Sequence, residues 1–294
     1  MTMKTKYLIS GLVLLSIISC KTPLNVANVQ TEKNISIAAD LPEDQNFKNI
    51  IEPYKIELEG KMNNKISHTK VDLTKQGDDS NLGNLLADFT FEGADDWAKK
   101  NGISGGVDGA VINIGGIRTN IGAGDILTKH VYEVMPFENE VIIVKMKGND
   151  LQGLFDYYLK TLKNNPVSHI VIETDQDKIT NQLINGKPIE VDKIYYIATS
   201  DYLALGGDNM DYFKKGELIP TGIKLRDLFL EKFIANPEIT VPTDMRLNFK
   251  NKKNEGIVQA IKTAKTELEK EWTLLNTMYS GSETGSTDEI EITK

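Results

Sequence analysis

The chain has a single cysteine, Cys20, so no internal disulfide can form in it and no C-x-x-C metal or redox pair exists. Arginine is nearly as scarce: among 34 Lys+Arg, only Arg118, Arg226 and Arg246 are arginines. Histidine is confined to His68, His130 and His169, and the H-E-x-x-H spacing of a zinc hydrolase is missing. So are the G-x-S-x-G turn of a serine hydrolase and the long glycine spacing with lysine of a phosphate loop. A basic surplus is also lacking. The net charge of −8 removes the positive footprint that binding a nucleic-acid polymer requires, while leaving room for a local pocket that takes a small anion. With 40% hydrophobic residues, the composition suits a globular core and not a multispan membrane protein.

The amino terminus explains the lone cysteine. Lys4 and Lys6 precede a short apolar run, Tyr7 to Ile18, which falls below the ~20 residues of a comfortable transmembrane helix. Ile17-Ile18-Ser19-Cys20 resembles the lipobox of bacterial lipoproteins. That resemblance implies cleavage before Cys20 and lipidation of its sulfur; an ordinary secretory signal with a chance cysteine is the alternative. Lys21 follows in place of aspartate. By analogy with the sorting rule of enteric bacteria, a cell-envelope lipoprotein of the outer membrane is expected, facing the periplasm or the surface. Its membrane contact would be through the lipid anchor alone.

Residues 1–19 are therefore the expected signal peptide and 20–51 a polar tether. Strand and helix patterns alternate over 52–249, which predicts one α/β or α+β domain. Ser80 to Asn84 marks a helix start, with Leu82, Leu86, Phe89 and Trp97 on one face and Gly102 at its end. Strands are expected over Gly109–Ile114, Glu140–Lys147, Val167–Glu173 and Lys193–Thr199. A helix capped by Asn149 or Asp150 should run to about Leu162, and another from about Lys224 to Ile234. Asn185-Gly186 is a hairpin signal. Residues 250–279 read as a helical extension with Ile257, Ile261, Leu268 and Trp272 at helical spacing, and 280–294 as a disordered tail.

The most informative stretch is Val111 to Thr119, V-I-N-I-G-G-I-R-T. Paired glycines let backbone pass close to a ligand and reach positive φ. Arg118 beside them offers a planar fork of donors for phosphate or carboxylate. In a chain that uses lysine nearly everywhere else, an arginine here suggests that bidentate geometry matters.

Six motifs then occur in order: S-N-L-G-N-L-L-A-D from Ser80, V-I-N-I-G-G-I-R from Val111, G-D-I from Gly124, V-Y-E-V-M-P-F-E-N from Val131, I-N-G-K-P from Ile184 and A-T-S-D-Y-L-A-L-G-G-D from Ala198. In this order the chain resembles the C-terminal domain of the 5′-nucleotidase family, whose relatives include UDP-sugar hydrolases and cyclic-nucleotide phosphodiesterases. The resemblance implies a layered α/β/β/α domain. It also implies a nucleotide or nucleoside site in which Phe137 and Tyr202 sandwich the base and Asp208 binds the sugar hydroxyls. Asn113, Gly115, Gly116 and Arg118 would form the loop that contacts the nucleotide, with Asn139 beside Phe137. Asn81 and Asn84 are expected to cap and brace the helix start. This chain departs from the family pattern at Ile114, where the loop's first glycine would stand, and at Glu138, which replaces a glycine. Asp78 and Asp79 occupy a region where many relatives carry another arginine.

Full-length relatives place a dimetal phosphoesterase domain before this one, with ligands in D-x-H, N-H-E/D and G-H-x-H patterns. None of the three histidines sits in such a pattern. No cofactor or catalytic residue is therefore expected of this chain, and a dimetal centre would come from a partner. The expected function is the nucleotide- or nucleoside-recognition half of a 5′-nucleotidase-type phosphohydrolase, completed by a separate metallophosphoesterase chain. The alternatives are an envelope module that binds nucleosides without catalysis, or a protein-interaction domain.

Overall fold

The computed structural model describes residues 43–252 and 263–273. The signal segment, Cys20, most of the tether and the 280–294 tail lie outside them. Contacts divide the chain between Glu52 and Pro53 into two units. In the first, Asp44 accepts a hydrogen bond from the amide of Asn46 at 2.8 Å and begins a helix, α1 (Gln45–Met62). Residues 45–51, read from sequence as tether, are thus helical. No α1 residue is buried, so there was no core-facing stripe to betray the helix. The described part of the C-terminal extension, 263–273, is helical as expected, with Leu268 and Trp272 exposed.

The second unit is a mixed α/β domain. Its elements are β1 (Lys65–Thr69), α2 (Asn81–Lys100), β2 (Gly109–Val111), β3 (Gly124–Leu127), α3 (Thr128–Val134), β4 (Glu140–Lys147) and α4 (Gly148–Thr161). They continue with β5 (Val167–Ser168), β6 (Ile170–Asp175), β7 (Lys178–Ile184), β8 (Ile194–Ser200), α5 (Asp201–Ala204), β9 (Glu217–Lys224), α6 (Leu225–Ala235) and β10 (Leu247–Lys250). The central sheet has the order β5-β2-β8-β4-β9. A second sheet runs β10-β6-β7, and β1 pairs with β3.

Strand β4 organises the layers. Side chains alternate across a sheet, so Val141 and Ile143 enter one core with Leu82, Leu86 and Phe89 of α2 and Phe229 and Phe233 of α6. Ile142, Val144 and Met146 enter the other, with Leu151, Leu154, Phe155 and Tyr158 of α4 and with Ile172 and Phe249 of the second sheet. Burying both faces explains the unbroken apolar run Val141–Val144 within β4.

Several boundaries differ from the sequence-based expectation, each for a local reason. The strand expected over Gly109–Ile114 stops at Val111, because Ile114–Gly116 turn into a 3-10 helix that carries the glycine loop. The strand expected over Val167–Glu173 breaks at His169, whose φ of 59° interrupts the extended backbone between β5 and β6. Helix α4 starts at Gly148, with Lys147 as its extended N-cap and not Asn149 or Asp150. Asn185 and Gly186 do make a turn with φ of 50° and 70°. Its second arm is only the bridge Ile184–Lys187, and β7 pairs along its length with β6 instead.

Candidate functional site

Three loops at the ends of central-sheet strands converge. The first follows β2 and contains Asn113 to Arg118. The second precedes β4 and contains Phe137 to Asn139. The third follows β8 and contains Asp201 to Asp208. Asn113, Gly115, Phe137, Asn139, Tyr202 and Asp208 line one cavity of about 490 Å³, and Glu138 lines it with them. Six of the eight ligand-site residues expected from sequence are thus neighbours in space, although they span the chain from 113 to 208.

Phe137 and Tyr202 line the cavity and are 45% and 44% exposed, so both rings are accessible from it. Tyr202 is held from behind. Its hydroxyl lies 3.1 Å from Asp208 Oδ1 and accepts from the Asp208 amide at 3.2 Å. The hold needs Gly207, where a Cβ would sit 2.6 Å from the tyrosine ring. Asp208 itself adopts φ 55°, a left-handed conformation that aspartate tolerates in turns. The Lys163 ammonium lies 3.6 Å from its carboxylate.

The two remaining glycine-loop residues stand slightly apart. Gly116 is buried behind the loop, where a Cβ would come within 3.0 Å of Asn113 Oδ1. Neither Gly115 nor Gly116 has positive φ, which corrects the expectation of left-handed backbone here; what Gly116 supplies is room for the Asn113 side chain. Arg118 is exposed, donates to the Gly115 carbonyl at 3.0 Å and lies 5.9 Å from the Phe137 ring centre. Its guanidinium therefore edges the cavity without lining it. Lys75 donates to the carbonyl of Ile117, the residue before Arg118.

Residues that the sequence did not single out hold these loops together. The Asn139 amide donates to Asp201 Oδ1 at 2.7 Å, and the same oxygen accepts from the Tyr202 amide at 2.7 Å. Asn165, fully buried, accepts from the Ile114 amide at 2.9 Å and donates to the Tyr157 hydroxyl at 3.4 Å. That hydroxyl donates in turn to the Asp208 carbonyl at 3.1 Å. A relay through Asn165 and Tyr157 so connects the glycine loop to the Asp208 loop. Burial pushes the Tyr157 pKa above its usual value, which keeps the phenol protonated as a donor. Arg226 fixes the middle loop: it donates to the Pro136 carbonyl at 3.1 Å, pairs with Glu138 and lies 4.7 Å over the Tyr132 ring. Its rarity in a lysine-rich chain was the available signal, the same one that marked Arg118.

Asn81 and Asn84 brace the helix start as expected, but neither caps it: Ser80 is the N-cap and both asparagines lie within α2. Asn81 accepts from the Thr74 amide at 2.7 Å and Asn84 donates to Asp79 at 3.0 Å. Asp78 pairs with Lys252, and Asp79 accepts from the Arg246 amide, so both carboxylates serve the local structure. The histidines do not fit a dimetal centre. His68 pairs with Asp125 at 2.9 Å, His130 accepts from the Leu127 amide at 3.1 Å, and His169 stacks on Phe91 with centroids 3.7 Å apart. Among the described residues, no three His, Cys, Asp or Glu side chains are grouped as a metal site.

Comparison with known proteins agrees with this geometry. The family described as "5'-nucleotidase, C-terminal domain" matches residues 60–215. The chain is 30% identical to the protein UshA of Yersinia enterocolitica over 193 residues, covering 60% of this chain and 32% of that protein. It is 28% identical to a 5′-nucleotidase of Vibrio parahaemolyticus over 204 residues, covering 65% and 33%. The chain thus spans about a third of the length of these curated relatives. A crystal structure of a 5′-nucleotidase precursor from Thermus thermophilus shares the fold with a TM-score of 0.59 at 24% identity, over 72% of this chain and 44% of that one.

Proposed function

Because the chain belongs to the 5′-nucleotidase C-terminal domain family, we propose that its cavity binds a nucleoside or nucleotide as the recognition half of a phosphohydrolase. The dimetal centre would be supplied by a separate metallophosphoesterase chain. The observation that carries this reading is the convergence of Phe137, Tyr202, Asn113, Asn139 and Asp208 on one cavity. Two exposed aromatic walls suit a flat base, and stacking contributes about 1–3 kcal/mol per base. Asp208 is an acceptor for sugar hydroxyls, reached by displacing the Tyr202 hydroxyl or using its second oxygen. Arg118 meets the charged end. No bond-breaking step is assigned to this chain, since none of its histidines is placed to hold the metals. Lipidation at Cys20 would keep the recognition half at the cell envelope, in the outer membrane.

The experiment is a mixture. A free metallophosphoesterase carrying D-x-H and G-H-x-H patterns, sought among neighbouring genes, is combined with this chain and assayed on AMP. Activity above that of either protein, lost on Phe137→Ala, is expected. Absence of both complex formation and added activity rejects the split enzyme.

A second reading draws on the commitment of Asp78 and Asp79 to Lys252, Asn84 and Arg246. With aspartates and no arginine at positions 78 and 79, and with the Arg246 guanidinium committed to Asp88, an envelope module that binds nucleosides without catalysis accounts for the aromatic walls equally well. Calorimetry separates the two. Adenosine affinity that survives Arg118→Ala but not Phe137→Ala favours the nucleoside module; AMP bound much more tightly than adenosine favours the hydrolase half.

A further inference from the structure

The edge of the cavity next to Phe137 presents acceptors. The Asp201 carboxylate can only accept, so the Asn139 side chain must turn its NH₂ toward it, as the 2.7 Å bond records. This leaves the Asn139 carbonyl oxygen facing away from Asp201. The preceding residue adds a carboxylate. Glu138 lines the cavity, and one of its oxygens, Oε1, is held by Arg226 Nη2. Arg226 is well placed to anchor it. Its side chain is 14% exposed, whereas that of Glu138 is 72% exposed, and the Pro136 carbonyl and the Tyr132 ring fix the guanidinium. Among the described residues, Glu138 Oε2 has no hydrogen-bond donor. Two acceptors on consecutive residues, one of them charged, therefore stand beside a stacking ring.

From this we infer that Glu138 is a specificity-determining residue that selects bases carrying an exocyclic amino group, such as adenine and cytosine, over bases carrying a carbonyl there, such as hypoxanthine and uracil. The inference rests on the nucleoside reading above. An amino group offers two N–H donors to two acceptors. A carbonyl at the same place sets lone pairs against a carboxylate, and a site built for one hydrogen-bond polarity rejects the other strongly.

The test uses the full chain and two ligand pairs that differ at that group, adenosine with inosine and cytidine with uridine. Calorimetry should show the amino member of each pair binding about tenfold more tightly, the scale of one hydrogen bond to a charged group. Glu138→Gln, whose amide can turn a donor to the carbonyl, should bring each pair to within about twofold. Phe137→Ala should weaken all four ligands and keep the preference. Equal binding within each pair, or a preference that persists unchanged in Glu138→Gln, overturns the inference while leaving the nucleoside site intact. No binding of any of the four nucleosides overturns the site itself.

Discussion

Asn139 and Asp201, 62 residues apart in sequence, are joined by a 2.7 Å hydrogen bond that ties the Phe137 loop to the Tyr202 loop. The same Asp201 oxygen receives the Tyr202 amide, so one carboxylate spaces the two aromatic walls. Asp201→Ala should lower nucleoside affinity about five- to thirtyfold, the scale of ~1–2 kcal/mol for losing an oriented polar pair. Asp201 is only partly buried, so the unfolding midpoint should move little. Equal affinity for the variant and the parent chain argues that the walls are spaced by packing alone.

The aromatic walls should separate from each other by chemistry. Phe137→Ala removes a stacking face and should cost about 1–3 kcal/mol of nucleoside affinity. Tyr202→Phe keeps its face and removes only the hydroxyl that meets Asp208. A change of less than about threefold is expected there, the low end of what one hydrogen bond contributes, because the hydroxyl braces Asp208 on an exposed loop and the stacking face is kept. Calorimetry with adenosine reads both; a larger loss in Tyr202→Phe than in Phe137→Ala contradicts the stacking account.

Asn165 is fully buried and answers the Ile114 amide. Asn165→Leu leaves that amide, the Tyr157 hydroxyl and the loop between them without their partner. The expected loss is about 2–4 kcal/mol of stability, typical of a broken buried polar network, measured by urea unfolding. A loss below about 0.5 kcal/mol, the level of an ordinary surface substitution, removes the relay from the account of how the loops are held.

Stability should depend on pH through His169. Burial lowers its pKa, with nearby Asp88 opposing and Arg246 adding to the shift. The unfolded chain therefore takes up its proton first as pH falls from about 6.5. The contribution is present above that value and is lost as pH drops toward the lower folded one. Asn tolerates the φ of 59° at this position. His169→Asn should flatten the fall in urea midpoint between about pH 7.5 and pH 5, even though losing the Phe91 stack lowers the midpoint throughout. An unchanged slope assigns the pH dependence in this range to other groups; Asp244, whose pKa is lowered by its hydrogen bond from Arg246, contributes only in more acidic solution, below the ordinary carboxylate range.

Much of the site was legible because its residues have no core use: two aromatics, an arginine and an aspartate beside glycines, in loops between apolar strands. What was hidden acts at a distance. Asp201, Tyr157 and Asn165 reach their partners across 62, 51 and 51 residues, and neither periodicity nor turn chemistry reports such contacts. Scarcity was a better guide. Arg226 and Arg246 hold multiply bonded positions, Arg246 most fully, with Asp88 gripping its guanidinium at 2.8 Å on two nitrogens, while Arg118 edges the cavity on a single bond to Gly115. The fold was least legible where non-glycine residues take positive φ. His169 splits one expected strand, and Gln176, at φ 55°, turns β6 into β7 without any glycine signal.

The steep change in environment at the start of β4 bears on how this protein can diverge. Phe137 and Glu138 stand in the open, yet Val141, three residues beyond Glu138, is wholly enclosed between the layers. Substitutions at Phe137 and Glu138 alter what the cavity accepts with little effect on folding, whereas those from Val141 onward unsettle the scaffold before they touch a ligand. Ligand preference in this lineage is therefore free to drift at Glu138 independently of stability, and an engineered change of base selectivity belongs there first.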